Sequence, residues 1–418
     1  MGALTPAAAS LLALLFAIVV SCTARVNVGV LAVALAWALS LEAGLGADLV
    51  VSSFPAGLFL TLAGVTLLFA LTEANGTVDR VAKVALRLAR GDARALPWLL
   101  FLIAGSLSSV GPGAIASVAL VAPMGMAVGR RASLSPFLTA LMVANGANAG
   151  NLSPVSAVGV IANTRIAEAG LGAHELKVWA ANFLAHLLVA GVAYFGLGGH
   201  LVRGSALPAV PGSDDPEGLS RAQWLTAAVV AAWVLGVVAL RWPLGPSAFA
   251  ASFVLVLAGA ADEGVAFRRL PWSAVMMVTG MALLVAAVEK VGGMELFTRL
   301  LARLATPGSV NGVIAFVTGV ISTYSSTSGV VLPTFLPTVP GLVRQLGGGD
   351  PLAVALSIDV GASLVDVSPL STLGALCVAA VATDDARDLF RKLMIWGLSM
   401  SLVGAALCQL FAGPFARL

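Results

Sequence analysis

Charge is what this 418-residue chain has least of: Asp, Glu, Lys and Arg together make up 10%, against about 25% in soluble domains. A water-soluble globular fold is excluded on that ground. Cysteine is scarce too. Cys22, Cys377 and Cys408 lie inside or at the edge of apolar stretches with no metal-type spacing, which excludes a disulfide scaffold and a zinc site. Only three histidines occur; His174 falls in a loop, His186 inside an apolar run, and neither has ligand spacing. Basic residues exceed acidic ones by only 23 to 20. They sit in short clusters between apolar segments, not along one face, so no nucleic-acid partner is expected. No residue pattern calls for a cofactor.

What is abundant is apolar surface: 59% hydrophobic residues and a mean hydropathy of +1.00. This composition predicts an all-α polytopic protein whose main partner is the lipid bilayer. A spanning helix needs roughly 20 apolar residues, so the length leaves room for about ten. The run Val19-Val20-Ser21-Cys22 faintly resembles a lipoprotein cleavage box, but no Lys or Arg precedes Arg25. Residues 1–24 are therefore read as a first span.

Further spans are expected at about 26–41 and 54–73. From Asp79 to Arg94 basic residues alternate with Val81, Val84, Ala85 and Leu88 at helical spacing, the pattern of an amphipathic interfacial helix. Two short apolar runs within about 95–129 are split by Ser-Ser-Val-Gly-Pro-Gly at 108–113, with arginines at both outer ends. That pattern predicts a re-entrant hairpin. The apolar stretch of about 134–168 contains Asn145-Gly-Ala-Asn-Ala-Gly-Asn-Leu-Ser-Pro154, expected to break the helix near mid-membrane. A span at about 176–197 closes the half, and 199–221 reads as a cytoplasmic linker.

Residues 222–418 repeat the plan of 1–198. Pro136 to Gly159 aligns with Pro351 to Gly374 without a gap, with nine identities in 24 positions, among them Gly146/Gly361, Ser153/Ser368 and Pro154/Pro369. A second hairpin is expected at about 306–343, split by Thr323-Tyr-Ser-Ser-Thr-Ser328, and a second broken helix at about 351–382. Five crossings per half is an odd number, so the second copy enters the membrane inverted. With both termini outside, fifteen Lys and Arg residues fall on the cytoplasmic side and eight outside, the bias of a bacterial inner-membrane protein.

Inverted repeats with paired broken helices point to a secondary transporter with its site at the repeat interface. Helix N-termini and free N–H groups favour an anion; carbonyl, amide and hydroxyl oxygens suit a hard cation. The candidate substrate-binding residues are Ser109, Gly111, Gly113, Asn145, Asn148, Asn151, Ser153, Ser325, Ser326, Thr327, Ser328 and Ser368. Asn148, Asn151, Thr327, Asp359 and Asp366 are candidates for coupling to Na+ or H+, since intramembrane acids are functional by default. No Lys or Arg lies in these segments.

The stretches Asn27-Val-Gly, Phe54-Pro55-Ala-Gly-Leu-Phe and Glu73-Ala-Asn-Gly-Thr77 resemble the MatC-type malonate/dicarboxylate carriers. Ser325-Ser326-Thr327-Ser328-Gly329-Val330-Val331-Leu332-Pro333 is similar to the second-hairpin motif of that group and of the citrate carriers, all in the ion transporter superfamily with the divalent-anion/sodium symporters. The symporters carry Ser-Asn-Thr at each tip. Ser325-Ser326-Thr327 matches with Ser for Asn, whereas Ser109-Val110-Gly111-Pro112-Gly113 departs from it. The resemblance implies a homodimeric elevator carrier of a small dicarboxylate, with sodium as a candidate coupling ion. Its scaffold would be roughly 1–90 plus 217–300, and the remainder would be a mobile transport domain. Three other readings stand beside it: an exporter of a citrate-like or arsenite-like anion on the same scaffold, an anion channel, and an intramembrane aspartyl enzyme using Asp359 and Asp366.

Overall fold

The computed structural model describes residues 5–418 apart from 24–25, 45, 47, 78–79, 81–93, 112, 133, 202–218, 241, 271 and 382. Most of the amphipathic segment expected at 79–94 and of the linker expected at 199–221 therefore lies outside the described residues, as does Pro112.

Every regular element among the described residues is helical. The first half comprises α1 (Pro6–Thr23), α2 (Val28–Glu42), α3 (Asp48–Ser52), α4 (Ala56–Ala74), α5 (Leu96–Val110), α6 (Gly113–Arg131), α7 (Pro136–Asn151), α8 (Ala157–Glu168) and α9 (Glu175–Gly196). The second comprises α10 (Arg221–Leu240), α11 (Leu244–Leu257), α12 (Glu263–Arg269), α13 (Trp272–Lys290), α14 (Gly293–Ala302) and α15 (Val310–Tyr324). After α15 come a π turn (Thr327–Val331), α16 (Leu332–Phe335), a 3-10 turn (Leu336–Thr338) and α17 (Val339–Leu346). The chain ends with α18 (Pro351–Leu364), a 3-10 turn (Val365–Val367), α19 (Thr372–Ala379) and α20 (Thr383–Arg417).

Local chemistry sets several of these boundaries twice. Pro136 and Pro351 open α7 and α18, where a missing N–H costs nothing. Just before them, the side chains of Ser135 and Asp350 accept from the N–H groups of Leu138 and Leu352 at 3.1 and 2.9 Å. The hairpin arms α5 and α15 have the same length and start 214 residues apart; α7 and α18 start 215 apart, and α4 and α13 start and end 216 apart.

Packing repeats as well. α5 lies on α7 and α15 on α18, through glycines at matching places: a Cβ on Gly105 would come 3.0 Å from the carbonyl oxygen of Gly146, and one on Gly319 3.0 Å from that of Gly361. Between the halves, α2 packs on α13 and α4 on α11. At these crossings a Cβ on Gly280 would come 2.2 Å from the carbonyl oxygen of Gly29, and one on Gly64 2.6 Å from that of Gly245. Bare backbone on both sides is what lets such helices touch. Asn27 and Ser273 meet at the starts of α2 and α13, at 2.8 and 3.0 Å. Gly64 meets Gly245, and farther along Asn75 meets the Ala260 carbonyl, so α4 and α11 run the same way.

The composition leaves room for ten crossings; the described helices are more varied. By length and composition four suffice on their own, Gly113–Arg130, Glu175–Gly196, Pro351–Ala379 and Ala386–Arg417. A fifth is added if Val275–Lys290 and Gly293–Ala302, bent by 91°, count as one. Other apolar helices run 10–17 described residues. α6, expected as the returning arm of a hairpin, is thus long enough for a crossing.

Candidate functional site

Each half folds its hairpin tip against its own broken helix, and the two halves interlock there. α8 packs on α16, and α19 on α6, so each returning arm lies against the far segment of the other half's broken helix.

The breaks fall later than the sequence suggests. Asn145, Gly146 and Asn148 lie within continuous α7, and Gly361 within continuous α18; the interruptions are 152–156 and 365–371. Gly146 is not a helix breaker but a contact point, since a Cβ there would come 2.2 Å from the Phe101 carbonyl oxygen. What ends the helices is serine. Ser156 donates to the carbonyls of Asn151 and Ser153 and accepts from Gly159 N–H at 3.0 Å. Ser371 donates to the carbonyls of Asp366 and Ser368 and accepts from Gly374 N–H at 3.4 Å. Asn151 and Asp366 are therefore counterparts.

At the first tip, the Ser153 hydroxyl donates to the Ser109 carbonyl. The Asn151 side-chain oxygen accepts from the N–H of Ala114 at 3.3 Å, in the first turn of α6. Gly111 (φ 141°) and Gly113 (φ 80°) take the turn in conformations closed to most side chains. Beside Gly111 stands the Phe69 ring of α4, close enough to collide with any Cβ there. The Ser108 hydroxyl, fully buried, has no hydrogen-bond partner among the described residues.

The second tip gathers oxygens. Thr327 Oγ1 lies 2.9 Å from both carboxylate oxygens of Asp366, 2.5 Å from Ser322 Oγ and 3.4 Å from the Ala362 carbonyl oxygen. Ser326 caps the π turn, accepting from Gly329 N–H at 3.0 Å. Ser325 and Ser328 flank it, half-buried. Ser368, counterpart of Ser153, is buried and accepts from Leu370 N–H at 3.3 Å.

Three expected site residues lie away from the tips' hydrogen bonds. Asn145 and Asn148 enter a buried network that the sequence reading did not foresee. His186 Nδ1 is 2.9 Å from Asn145 Oδ1, and its Nε2 is 3.4 Å from Ser363 Oγ. Ser363 donates to Asn182 Oδ1 at 2.7 Å, Asn182 donates to the Asn148 carbonyl at 2.7 Å, and Asn148 donates to the Ser363 carbonyl at 3.4 Å. This network joins α7, α9 and α18. Asp359 is buried in α18 and neither carboxyl oxygen has a hydrogen-bond partner among the described residues. The spacing of His186 and Asn182 on one face of an apolar helix was the available signal; Ser108 stood in the expected first tip and Ser322 at the end of the arm before the second, but neither was singled out.

An apolar cleft of about 220 Å³ opens between α9, α18 and α20, lined by residues such as Leu184, Val360 and Phe411 and by none of the tip residues.

Residues 4–151 match the family model described as the N-terminus of the dicarboxylate carrier protein MatC. The match covers about a third of the chain, and residues 152–418 lie outside it. The MatC match ends at Asn151, the last residue of α7. The fold likeness reaches farther: the crystal structure of the Alcanivorax borkumensis YdaH transporter, described as having an unusual topology, aligns over 87% of each chain with a TM-score of 0.62 at 18% identity. Neisseria gonorrhoeae MtrF, described as illuminating a class of antimetabolite efflux pumps, aligns over 85% of this chain and 81% of its own, with a TM-score of 0.49 at 13% identity. No curated protein sequence matches the chain. The chain is thus similar to the MatC carriers over residues 4–151 and shares the fold of YdaH over most of its length.

Proposed function

We propose that this protein is a secondary active carrier of small dicarboxylates, malonate or a C4 acid, driven by a Na+ or H+ gradient. The observation that carries the reading is the pairing of each hairpin tip with a helix break, Ala114 with Asn151 and Thr327 with Asp366, around which α8 and α16, and α19 and α6, interlock. Such a pocket offers helix N-termini, amides and hydroxyls to a carboxylate and oxygens to a cation. The tip and break segments carry no Lys or Arg, which suits a substrate that must be released each cycle.

The two copies are inverted in this account. α2 runs with α13 and α4 with α11, and Lys290 at the end of α13 donates to Ser53 just before α4 at 3.0 Å, so α4 and its counterpart α13 run oppositely. The segments 1–90 and 217–300 then form the scaffold, with the remainder moving as an elevator in a homodimer. The protein sits in a bacterial inner membrane with both termini outside.

Uptake of radiolabelled malonate and succinate into proteoliposomes tests this. Saturable uptake and counterflow that rise with an inward Na+ or H+ gradient are expected. Gradient-independent flux, ohmic conductance, or no uptake of either acid would overturn it; efflux-only activity toward a citrate-like or arsenite-like anion would move the protein to the exporter reading.

A further inference from the structure

The duplication lets each tip serve as a control for the other. In the register of α5 and α15, Ser108 corresponds to Ser322 and Gly113 to Thr327; in that of α7 and α18, Ala147 corresponds to Ala362 and Asn151 to Asp366. Two of these four pairs differ in chemistry, and both differences run the same way.

At the second tip, five oxygens from Ser322, Thr327, Ala362 and the Asp366 carboxylate crowd within 3.4 Å of, or belong to, one threonine hydroxyl. The two hydroxyls bring only two hydrogens. Lone pairs outnumber donors, and the carboxylate adds a formal negative charge; Asp366 is also only half-buried and so reachable. A hard monovalent cation or a proton answers that excess.

At the first tip the second hydroxyl and the carboxylate charge are both missing. Gly113 has no hydroxyl, and a Cβ there would meet nothing closer than Asn151 Oδ1 at 4.0 Å, so the volume is open. Asn151 is a neutral amide whose oxygen already accepts from Ala114. The Ser108 hydroxyl, whose counterpart Ser322 bonds Thr327, is left fully buried without a partner among the described residues. Beside it begins the 19-residue helix α6, with the positive end of its dipole. A hydroxyl free to donate stands here with no carboxylate beside it, the opposite of the second tip.

We infer that the two copies have divided the work: the Ser108/Gly113/Asn151 pocket holds a carboxylate of the substrate, and the Ser322/Thr327/Asp366 pocket holds the coupling cation. This deepens the carrier reading and rests on it, assigning the carboxylate to one tip and the cation to the other.

The test uses the purified full-length protein and thermal midpoints, read separately for cation and anion. NaCl is titrated against choline chloride at fixed pH, a pH series in choline chloride reads protons, and choline malonate is titrated at saturating cation. Thr327→Val is expected to raise the half-maximal cation concentration at least tenfold, or to remove the pH response if the cation is a proton, while moving the malonate value less than about threefold. Ser108→Ala should do the reverse. If either variant does not fold, Asp366→Asn and Asn151→Asp read the same two pockets. Asn151→Asp should weaken malonate and add a second cation phase. Equal shifts of both constants in either variant, or a Thr327→Val protein with wild-type cation response, would overturn the division. A wild type that takes up neither acid, yet loses its cation response only in Thr327→Val, would sink the carrier reading and leave the cation site standing.

Discussion

The ring nitrogen Nδ1 of His186 lies 2.9 Å from the side-chain oxygen of Asn145, with both residues fully buried. Because Nε2 also reaches Ser363, one imidazole ties the first broken helix to the second through α9. His186→Leu strands Asn145 Oδ1 and loosens that tie, at about 1–3 kcal/mol for each buried group left unpaired. Thermal unfolding in detergent should show a lower midpoint for His186→Leu, with partial recovery in His186→Gln. An unchanged midpoint in His186→Leu would mean that the network is not a structural joint.

The glycine crossings between the halves make a paired prediction. A side chain on Gly64 or Gly280 would meet backbone across the interface, at 2.6 and 2.2 Å from the first carbon, so the helices must separate. Gly64→Val and Gly280→Val should both abolish the monodisperse peak in size-exclusion chromatography, whereas Gly57→Val, with open space around it, should not. Tolerance at one crossing and failure at the other would contradict their equivalence.

How much of this was legible beforehand depends on whether the deciding interaction is local. The starts of α7 and α18 follow from Ser135-Pro136 and Asp350-Pro351, where cap and proline lie side by side in the chain, and both helix interruptions follow from runs of small and polar residues. The exact break could not be read, because Gly146 answers to Phe101 on another helix and Ser156 decides the helix end by reaching back to Asn151. Tip residues were recognised by type, but which one faces the pocket depends on helix phase: Ser109 uses its carbonyl, while Ser108 carries the unpaired hydroxyl. His186 was read as packing within its span. Its hydrogen bonds needed the third dimension.

Asp359 gives a prediction of the opposite sign. Its buried carboxyl group has no hydrogen-bond partner among the described residues, and a polar group in that condition costs about 1–3 kcal/mol. Asp359→Leu should therefore raise the thermal midpoint. If Asp359 also serves coupling, the same variant should lose gradient-driven uptake while gaining stability. A lowered midpoint would show that the carboxyl group has found a stabilising partner.

The most direct measurement is an experimental structure with malonate and the coupling cation bound. The account predicts the anion between the tips, with a carboxylate oxygen within hydrogen-bond distance of Ser108 Oγ or the first N–H groups of α6, and a cation bound by Asp366. Malonate bound outside the tips, for example in the apolar cleft between α9, α18 and α20, or two copies running parallel through the membrane, would contradict it.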